Sequence, residues 1–361
     1  MTVNETLGAW SELFMLLAAM TYLVSFVAFA WDMASASRSL AGAARDRDEE
    51  LVGAVSGSPV SGSAVSGSAA SDVSADGPGG PPSGRGGRAA ERAVLAGEVA
   101  DARMRYTGAR RPAARVAVAV MALAAAVHLA AVLARAFAAG RVPWGNMYEF
   151  CTTGALVVAG VYLVALLVRD LRFVGTLVTG LVVIMLCAAT IGFPTPVGPL
   201  QPALQSWWLV IHVSIAVAAS GVFTITFAMA VLQLLQARRE RALLAGERPG
   251  MAFLRTVPSA QALENLSFRL NAVGFAFWTF TLAAGAIWAE QAWGRYWGWD
   301  TKEVWTFVIW VVYAAYMHAR ATRGWTGTRS AWLSIVGYLC VIFNFAVVNT
   351  VFPGLHSYSG L

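Results

Sequence analysis

The residues best able to hold a ligand lie in one short segment, residues 289–303, with the sequence A-E-Q-A-W-G-R-Y-W-G-W-D-T-K-E. Charges at this density are too costly inside hydrocarbon, so the segment is predicted to lie at a membrane surface, between the apolar runs on either side. Such a surface, here called the aromatic shelf, suits a large planar ligand whose acidic groups need cations. Its aromatic residues are Trp293, Tyr296, Trp297 and Trp299, and the charged residues among and after them are Arg295, Asp300, Lys302 and Glu303.

The composition indicates a protein with several membrane spans. Of its 361 residues, 58% are hydrophobic and 13% are charged, and the mean hydropathy is +0.60, which is not the balance of a soluble domain. The formal charge of +6 and the pI near 9.5 do not indicate nucleic acid as a partner. The arginines cluster in loops beside apolar runs, where they set membrane orientation.

A rule of about 20 apolar residues per span predicts an all-α polytopic membrane protein with about eight transmembrane helices. The predicted domains are a first transmembrane helix at 1–34, a linker at 35–112, and a seven-helix core at 113–361 that contains the shelf at 291–303. The linker repeats V-S-G-S and continues with Gly, Pro and Ser, so it is predicted to be disordered and cytoplasmic. The predicted spans are 9–31, 114–138, 148–168, 173–193, 207–235, 270–290, 304–321 and 331–352.

The arginines also predict how the chain crosses the membrane. They concentrate before the second span, between the third and fourth, after the fifth, and after the seventh. These connections alternate with connections that contain fewer arginines, so the arginine-rich ones are predicted to share the cytoplasmic side. Both termini, the loops around 143–148 and 194–206, and the aromatic shelf are then extracytoplasmic. The first apolar run follows an acidic start and is long enough to span, so no cleavable signal peptide is predicted.

Redox chemistry by the chain's own thiols is not predicted. Cys151, Cys187 and Cys340 each lie in an apolar run, and none belongs to a C-x-x-C pair. Such cysteines are usually small apolar residues packed between helices.

Two of the four histidines are predicted to lie at the level of the shelf. His212 falls one to two turns inside the outer end of the fifth span, and His356 falls just beyond the outer end of the eighth. Two imidazoles beside an aromatic surface are the arrangement that axial ligation of a haem iron requires. The acidic groups of such a ligand would find cations in Arg295, Lys302 or Arg141. This combination favours a haem site over a plain interfacial belt of Trp and Tyr.

The other two histidines have less definite roles. His318 lies near the cytoplasmic end of the seventh span, where it is either a second, inner ligand or a side chain that reaches for the interface. His128 lies near the middle of the second span. An ionisable residue at that depth is a functional hypothesis by default, although polar residues in spans also serve helix packing.

The shelf closely resembles the WWD motif of the haem-handling membrane proteins of cytochrome c biogenesis. The string W-G-R-Y-W-G-W-D-T-K-E carries the likeness, and the chain looks like the CcsA/ResC family of system II, called CcsB in some actinobacteria. The resemblance covers roughly residues 114–358. Further matching segments are V-P-W-G-N-M-Y-E-F at 142–150, L-Q-S-W-W-L-V-I-H at 204–212, Y-M-H-A-R at 316–320 and V-N-T-V-F-P-G-L-H-S-Y at 348–358.

The resemblance implies that the shelf binds haem b at the outer face of the cytoplasmic membrane. Trp293, Trp297, Trp299 and Asp300 match the motif's own residues, with Tyr296 beside them, and they would position haem without side-chain acid or base catalysis. Relatives usually have Pro in place of Thr301, and often a small polar residue in place of Gly298. These departures imply a less rigid loop and intact function.

The resemblance also assigns the histidines and the partners. His212 and His356 would be the external axial ligands, and His318 would take haem arriving from the cytoplasmic side. His128 has no firm role in the family. The implied activity is that of a cytochrome c haem-lyase component, which attaches haem to apocytochrome c with a C-x-x-C-H motif. The implied partners are a ResB-like membrane subunit and a thioredoxin-like thiol reductant.

Three alternatives belong to other classes or systems. A dihaem respiratory subunit needs four buried histidines in facing pairs, commonly two on one helix, and no predicted span carries two. A solute transporter with an aromatic gate would often show inverted repeats and helices broken at the midplane, which the sequence lacks. A CcmC-type protein of system I would be shorter, and a CcmF-type protein much longer.

Overall fold

The structure, a computed structural model, describes residues 3–56, 111–247, 250–322 and 324–356, and every regular element in those ranges is helical. The prediction of an all-α fold is therefore confirmed. The main helices are α1 (Glu5–Ser56), α2 (Pro112–Ala139), α3 (Met147–Val168), α4 (Gly175–Cys187), α5 (Trp208–Leu244), α6 (Ala260–Trp293), α7 (Thr301–Thr322), α8 (Thr328–Ile342) and the short α9 (Val348–Val351). A π-helical turn, Phe343–Val347, joins α8 to α9.

Among the described residues, seven helices are long and apolar enough to cross a membrane. They are the predicted spans except 304–321, and α8 is counted together with its π turn and α9. The remaining predicted span is α7, whose 22 residues are long enough to cross. Its ends carry charged and polar residues, which lower its mean hydropathy. The chain is a multipass membrane protein.

Three predicted boundaries differ from the structure. α1 continues to Ser56, so the linker does not begin at residue 35; residues 35–56 are rich in Ala, Leu, Arg and Glu, which favour helix. α5 and α6 also extend beyond their predicted spans, to Leu244 and from Ala260. The predicted linker from 57 to 110 lies outside the described residues, as do positions 248, 249, 323 and 357–361.

The helices pack around α5, whose apolar window is the most buried of the seven spans. On one side α3 and α4 contact α5. Beyond them α1 and α2 run antiparallel, joined by hydrogen bonds from Ser11 Oγ to the Ala131 carbonyl (2.8 Å) and from Ser25 Oγ to the Ala117 carbonyl (2.9 Å). On the other side lie α6, α7 and α8. A hydrogen bond from the Asn4 N–H to the Ala138 carbonyl (3.0 Å) places the start of α1 beside the end of α2.

An aromatic cluster holds α5, α6, α7 and α8 together. The rings of Phe223 and Tyr313 stack with centroids 3.8 Å apart, and the buried Trp278 donates from its indole N–H to the Thr306 carbonyl at 3.0 Å. Gly274 lets Phe223 approach α6, because a Cβ there would lie 2.6 Å from the ring. This cluster closes the helix bundle below the cavity described in the next section.

A buried ionic cluster fixes the start of α3 against the end of α2. Glu149 is fully buried and pairs with Arg135 (3.0 Å) and Arg141 (2.7 Å). It also accepts the Gly145 N–H at 2.7 Å. Arg141 donates further to the carbonyls of Gly198 and Val142, and all five of its N–H groups are engaged. The expectation that Arg141 receives a ligand's acidic group is therefore corrected.

Removal of the Glu149 carboxylate tests the importance of this cluster. The change Glu149→Ala is expected to lower the free energy of unfolding by about 3–5 kcal/mol, because it leaves the buried Arg135 guanidinium without its counter-charge. Thermal unfolding of the detergent-purified chain measures the effect. The matched change at the exposed Glu247, Glu247→Ala, is expected to stay within about 0.5 kcal/mol of the parent. Equal stability of both variants would contradict the structural role.

Candidate functional site

A large cavity opens at one end of the bundle, beside the aromatic shelf. It encloses about 1160 Å³, including the solvent at its mouth. Its walls are mostly apolar and aromatic, with a few polar groups, which is the usual character of a ligand pocket. The aromatic and histidine residues that line it are Trp144, Phe150, His212, Trp278, Trp288, Trp293, Tyr296, Trp297, Phe345 and His356.

The shelf is shaped by the start of α7. Asp300 precedes the helix and accepts the Lys302 N–H at 2.9 Å, while Glu303 accepts the N–H groups of Asp300 (3.1 Å) and Gly298 (2.8 Å). This reciprocal arrangement is a capping box. It starts α7 at Thr301, three residues before the predicted span at 304–321.

The shelf is not flat. Trp293, Tyr296 and Trp297 line the cavity, whereas Trp299 does not and is 77% exposed. The rings of Trp297 and Trp299 meet edge to face at 89°, with centroids 5.9 Å apart. The cause is local, because Trp299 has a positive φ of 59°, which is unusual for a bulky residue. In this conformation the Trp299 ring contacts Trp297 but lies outside the cavity wall.

His212 is held in the cavity wall by α6. Its Nδ1 lies 3.0 Å from the Thr281 carbonyl oxygen, so Nδ1 carries the hydrogen and Nε2 keeps its lone pair. Gly285 makes this position accessible, because a Cβ there would lie 2.7 Å from His212 Cε1. The indole of Trp288 lies beside the imidazole, with ring centroids 5.7 Å apart.

His356 is held by the shelf itself. Its Nδ1 lies 2.9 Å from Asp300 Oδ1, and the Leu355 N–H donates to Asp300 Oδ2 at 2.9 Å. A Cβ on Gly354 would lie 2.3 Å from that oxygen, so the C-terminal loop approaches Asp300 closely only because residue 354 is glycine. The edge of the imidazole also contacts Trp293, with ring centroids 5.0 Å apart.

Asp300 remains ionised in this position. Burial alone would raise the pKa of its carboxyl group, but the contacts with His356 and with the N–H groups of Lys302 and Leu355 outweigh it, so the pKa falls from 3.8 to about 2. A lowered folded-state pKa stabilises the fold above the unfolded value. The contribution is therefore present above pH 3.8 and is lost as the pH falls toward 2.

The two histidines thus offer the same chemical group to one cavity. Each has its Nδ1 engaged by an oxygen of the protein, and in the described residues no hydrogen bond occupies either Nε2. Metal-bound histidines are oriented by this kind of second contact, which fixes the tautomer and strengthens the ligand. The described residues hold no group of three or more His, Cys, Asp or Glu side chains that could bind an isolated metal ion. The pair is therefore suited to a metal that brings its own equatorial ligands.

Of the three cations predicted to bind the ligand's acidic groups, one lies in the cavity wall. Lys302 lines the cavity, whereas Arg295 and Arg141 do not. Arg295 packs over Gly298, where a Cβ would lie 2.1 Å from its Cζ. Arg295 is exposed and its side chain is flexible, so it can move to make room for a larger residue at position 298.

His318 and His128 do not line this cavity. His318 is exposed near the far end of α7, and its 17-residue separation from Thr301 corresponds to about 26 Å along the helix. His128 is fully buried between α1 and α3, where its ring meets Tyr22 edge to face with centroids 5.7 Å apart. Any role of either histidine is separate from the His212–His356 site.

Sequence reasoning missed several residues that build the site. Thr281 and Gly285 position His212, and their types carry no signal without knowledge of which helix faces that imidazole. Asn344 and Asn349 line the cavity from α8 and its extension. Two amides in an otherwise apolar span were a usable signal, because polar residues inside a membrane are usually functional or paired.

Comparison with known proteins agrees with this geometry. The fold and the site define a multipass membrane protein with a deep aromatic cavity served by two imidazoles. The pattern of the family described as "Cytochrome C assembly protein" matches residues 144–356, which contain every residue of the cavity wall. The chain belongs to this family, and its function is cytochrome c biogenesis.

Curated relatives and one solved structure extend the comparison. The chain is 35% identical to the cytochrome c biogenesis protein CcsA of Guillardia theta, over 62% of this chain and 78% of that one. It is 33% identical to CcsA of Microcystis aeruginosa, over 62% and 81%. A solved structure of the cytochrome c haem lyase CcmF is 19% identical, with a TM-score of 0.47 over 76% of this chain and 48% of the other.

A methyl group at residue 285 tests how His212 is held. The change Gly285→Ala is expected to displace the imidazole from the Thr281 carbonyl and to weaken binding of added haem about 10-fold or more, within the range found when such supporting contacts are lost. Titration of the purified chain, followed by haem absorption, measures the affinity. The control is Gly160→Ala, because a Cβ there has no neighbour within 4 Å. Equal affinities in the two variants would show that Gly285 does not position His212.

Neutralising Asp300 tests how His356 is held. The change Asp300→Asn keeps the side-chain shape but removes the negative charge and one acceptor oxygen, so three N–H donors compete for a single carbonyl. Haem affinity is expected to fall about 10- to 100-fold, with loss of the spectrum of two bound histidines. The control is Glu247→Gln, which removes the same charge at an exposed residue outside the cavity. An unchanged spectrum in Asp300→Asn would show that the carboxylate is dispensable.

Proposed function

We propose that this protein binds haem b as its substrate in the shelf cavity and presents it for covalent attachment to apocytochrome c. One observation carries the proposal: His212 and His356 both line the cavity with Nδ1 engaged and Nε2 open. Haem supplies four equatorial nitrogens and needs only one or two axial ligands from a protein. The pair therefore suits haem better than an isolated metal ion.

The walls of the cavity support a large flat ligand. Indole rings of Trp144, Trp288, Trp293 and Trp297 line the same cavity as the two histidines, and aromatic faces bind planar rings through dispersion and offset stacking. Water is largely excluded below the mouth by the aromatic cluster around Trp278. A porphyrin would thus lie against aromatic rings along its plane, with its iron between the two Nε2 atoms.

The proposed reaction needs no acid or base from the chain. Each of two cysteine thiols of the apocytochrome adds across a haem vinyl group: the S–H bond breaks, sulfur bonds to the carbon next to the ring, and hydrogen goes to the outer carbon. No electrons are gained or lost, so the only redox requirement is that the thiols arrive reduced. Holding the reacting atoms in place can supply much of the barrier lowering. The histidine of the C-x-x-C-H motif then replaces one axial ligand.

The partners follow from what the chain lacks. It carries no C-x-x-C pair, so a thioredoxin-like protein is proposed to reduce the apocytochrome. His318 is exposed on α7 and lacks a second histidine near it in the described structure, so the opposite ligand of an inner haem is proposed to come from a ResB-like membrane subunit. The chain would then be a component of a haem lyase in the cytoplasmic membrane, with the shelf cavity on the extracytoplasmic side.

The positions of the histidines do not support either a dihaem respiratory subunit or a transporter with an aromatic gate. All four histidines are described, and they lie on α2, α5, α7 and the C-terminal loop. No helix therefore carries the two stacked histidines that a dihaem respiratory subunit commonly uses. A transporter with an aromatic gate would not need two imidazoles with matched open nitrogens.

The test is to purify the full chain with its membrane partner and to record haem content and absorption spectra. The double change His212→Ala and His356→Ala is expected to abolish the spectrum of a bis-histidine haem in the shelf cavity and to stop cytochrome c formation in a host that lacks its own system. His128→Ala serves as the control for loss of an imidazole outside the cavity. Unchanged haem content and spectrum in the double variant would overturn the proposal.

A further inference from the structure

Lys302 is the only lysine in the chain. The 26 basic residues are 25 arginines and this one lysine. It also contributes the only ammonium group among the residues that line the shelf cavity.

The contacts of Lys302 leave part of its ammonium group available. Nζ donates to the Asn344 carbonyl oxygen and to Asn349 Oδ1, each at 2.8 Å, and it lies 4.5 Å from the centre of the Phe345 ring. An ammonium group has three donors, so one remains. No carboxylate pairs with Nζ in the described residues, where an ion pair would otherwise be expected for a cation in such a setting.

The shape of this site suits lysine better than arginine. A compact ammonium group can sit between two oxygens and a ring face, whereas a guanidinium is planar and presents five donors in a fixed fork. The π-helical turn at Phe343–Val347 helps, because it alters the backbone spacing around Asn344, whose carbonyl oxygen Lys302 binds. Turns of this kind occur mainly at functional sites.

A second polar group at the same place also lacks a partner. Asn344 is 1% exposed and lines the cavity, and its Oδ1 has no hydrogen-bond donor in the described structure. Its Nδ2 is already engaged by Thr306 Oγ1 at 3.2 Å. A carboxyl group would satisfy both residues. One oxygen would accept the free Lys302 N–H, and a water bound to the other oxygen would donate a hydrogen to Asn344 Oδ1.

The other charged side chain of the cavity has the opposite sign and points elsewhere. Glu303 turns toward the shelf, where it accepts the N–H groups of Gly298 and Asp300. A ligand carboxylate is therefore repelled near the shelf and attracted near α8. The adjacent residues Lys302 and Glu303 thus place a positive charge on the α8 side of the cavity and a negative charge on the shelf side.

We propose that Lys302 and Asn344 bind a carboxyl group of the ligand and so fix which edge of the ring enters first. The proposal rests on the function proposed above and adds an orientation to it. The acidic edge of haem faces the wall formed by α7, α8 and the π turn. The opposite edge, which carries the vinyl groups, then faces the mouth near Tyr296 and Trp297, where thiols of a polypeptide can reach it. Lys302 is thus a residue that determines orientation.

The experiment compares haem with two analogues on the apo form of the full chain, followed by absorption. Haem dimethyl ester lacks the acidic groups, and deuterohaem lacks the vinyl groups but keeps the acids. The parent protein is expected to bind the ester about 10- to 100-fold more weakly than haem, the range for a hydrogen bond to a charged group. Deuterohaem is expected to bind as haem does.

Two variants complete the test. Lys302→Met is expected to bind haem and the ester with equal affinity, whereas Arg295→Gln, which removes the same charge outside the cavity, is expected to keep the parent's discrimination. If the parent binds the ester as tightly as haem, with a bis-histidine spectrum, the orientation is wrong and the proposed function stands. If no porphyrin gives that spectrum, the proposed function itself fails. The comparison of ligands on the parent protein remains decisive even if Lys302→Met does not fold.

Discussion

The carboxylate of Asp300 is the group on which the site depends. It caps the start of α7, accepts the Leu355 N–H, and holds Nδ1 of His356. These contacts connect three parts of the chain that would otherwise move independently: the shelf, α7 and the C-terminal loop. Because one carboxylate makes contacts to all three, its removal affects all three at once. The aspartate of the WWD motif therefore acts through a histidine and a helix start, and it does not line the large cavity itself.

Buried charges are also paired in the ionic cluster beside the cavity. Glu149 engages Arg135 and Arg141 beside the cavity wall, so these arginines serve the fold and leave the ligand to other groups. Lys302 is the exception, because its partners are neutral oxygens and one donor stays available. Lys302 lines the cavity, so this remaining donor can bind a ligand there.

Aromatic residues of the motif divide into two kinds in the structure. Trp293, Tyr296 and Trp297 face the cavity, while Trp299 faces outward with a left-handed backbone conformation. A motif read as a string cannot make this distinction, because neighbouring residues in an irregular loop have no fixed period. The division is set by the capping box at Asp300 and Glu303, which bends the chain just before α7.

The sequence by itself determined the all-helical membrane fold, the position of the shelf between two spans, and the candidacy of His212 and His356. Length, hydropathy and residue type are local properties, so they can be found without coordinates. Only the tertiary structure decided that Thr281 and Asp300 contact the Nδ1 atoms of His212 and His356. It also decided that Arg141 pairs with Glu149 and that Lys302 lines the cavity. These facts depend on which side chains of distant segments meet, and helix packing alone sets that.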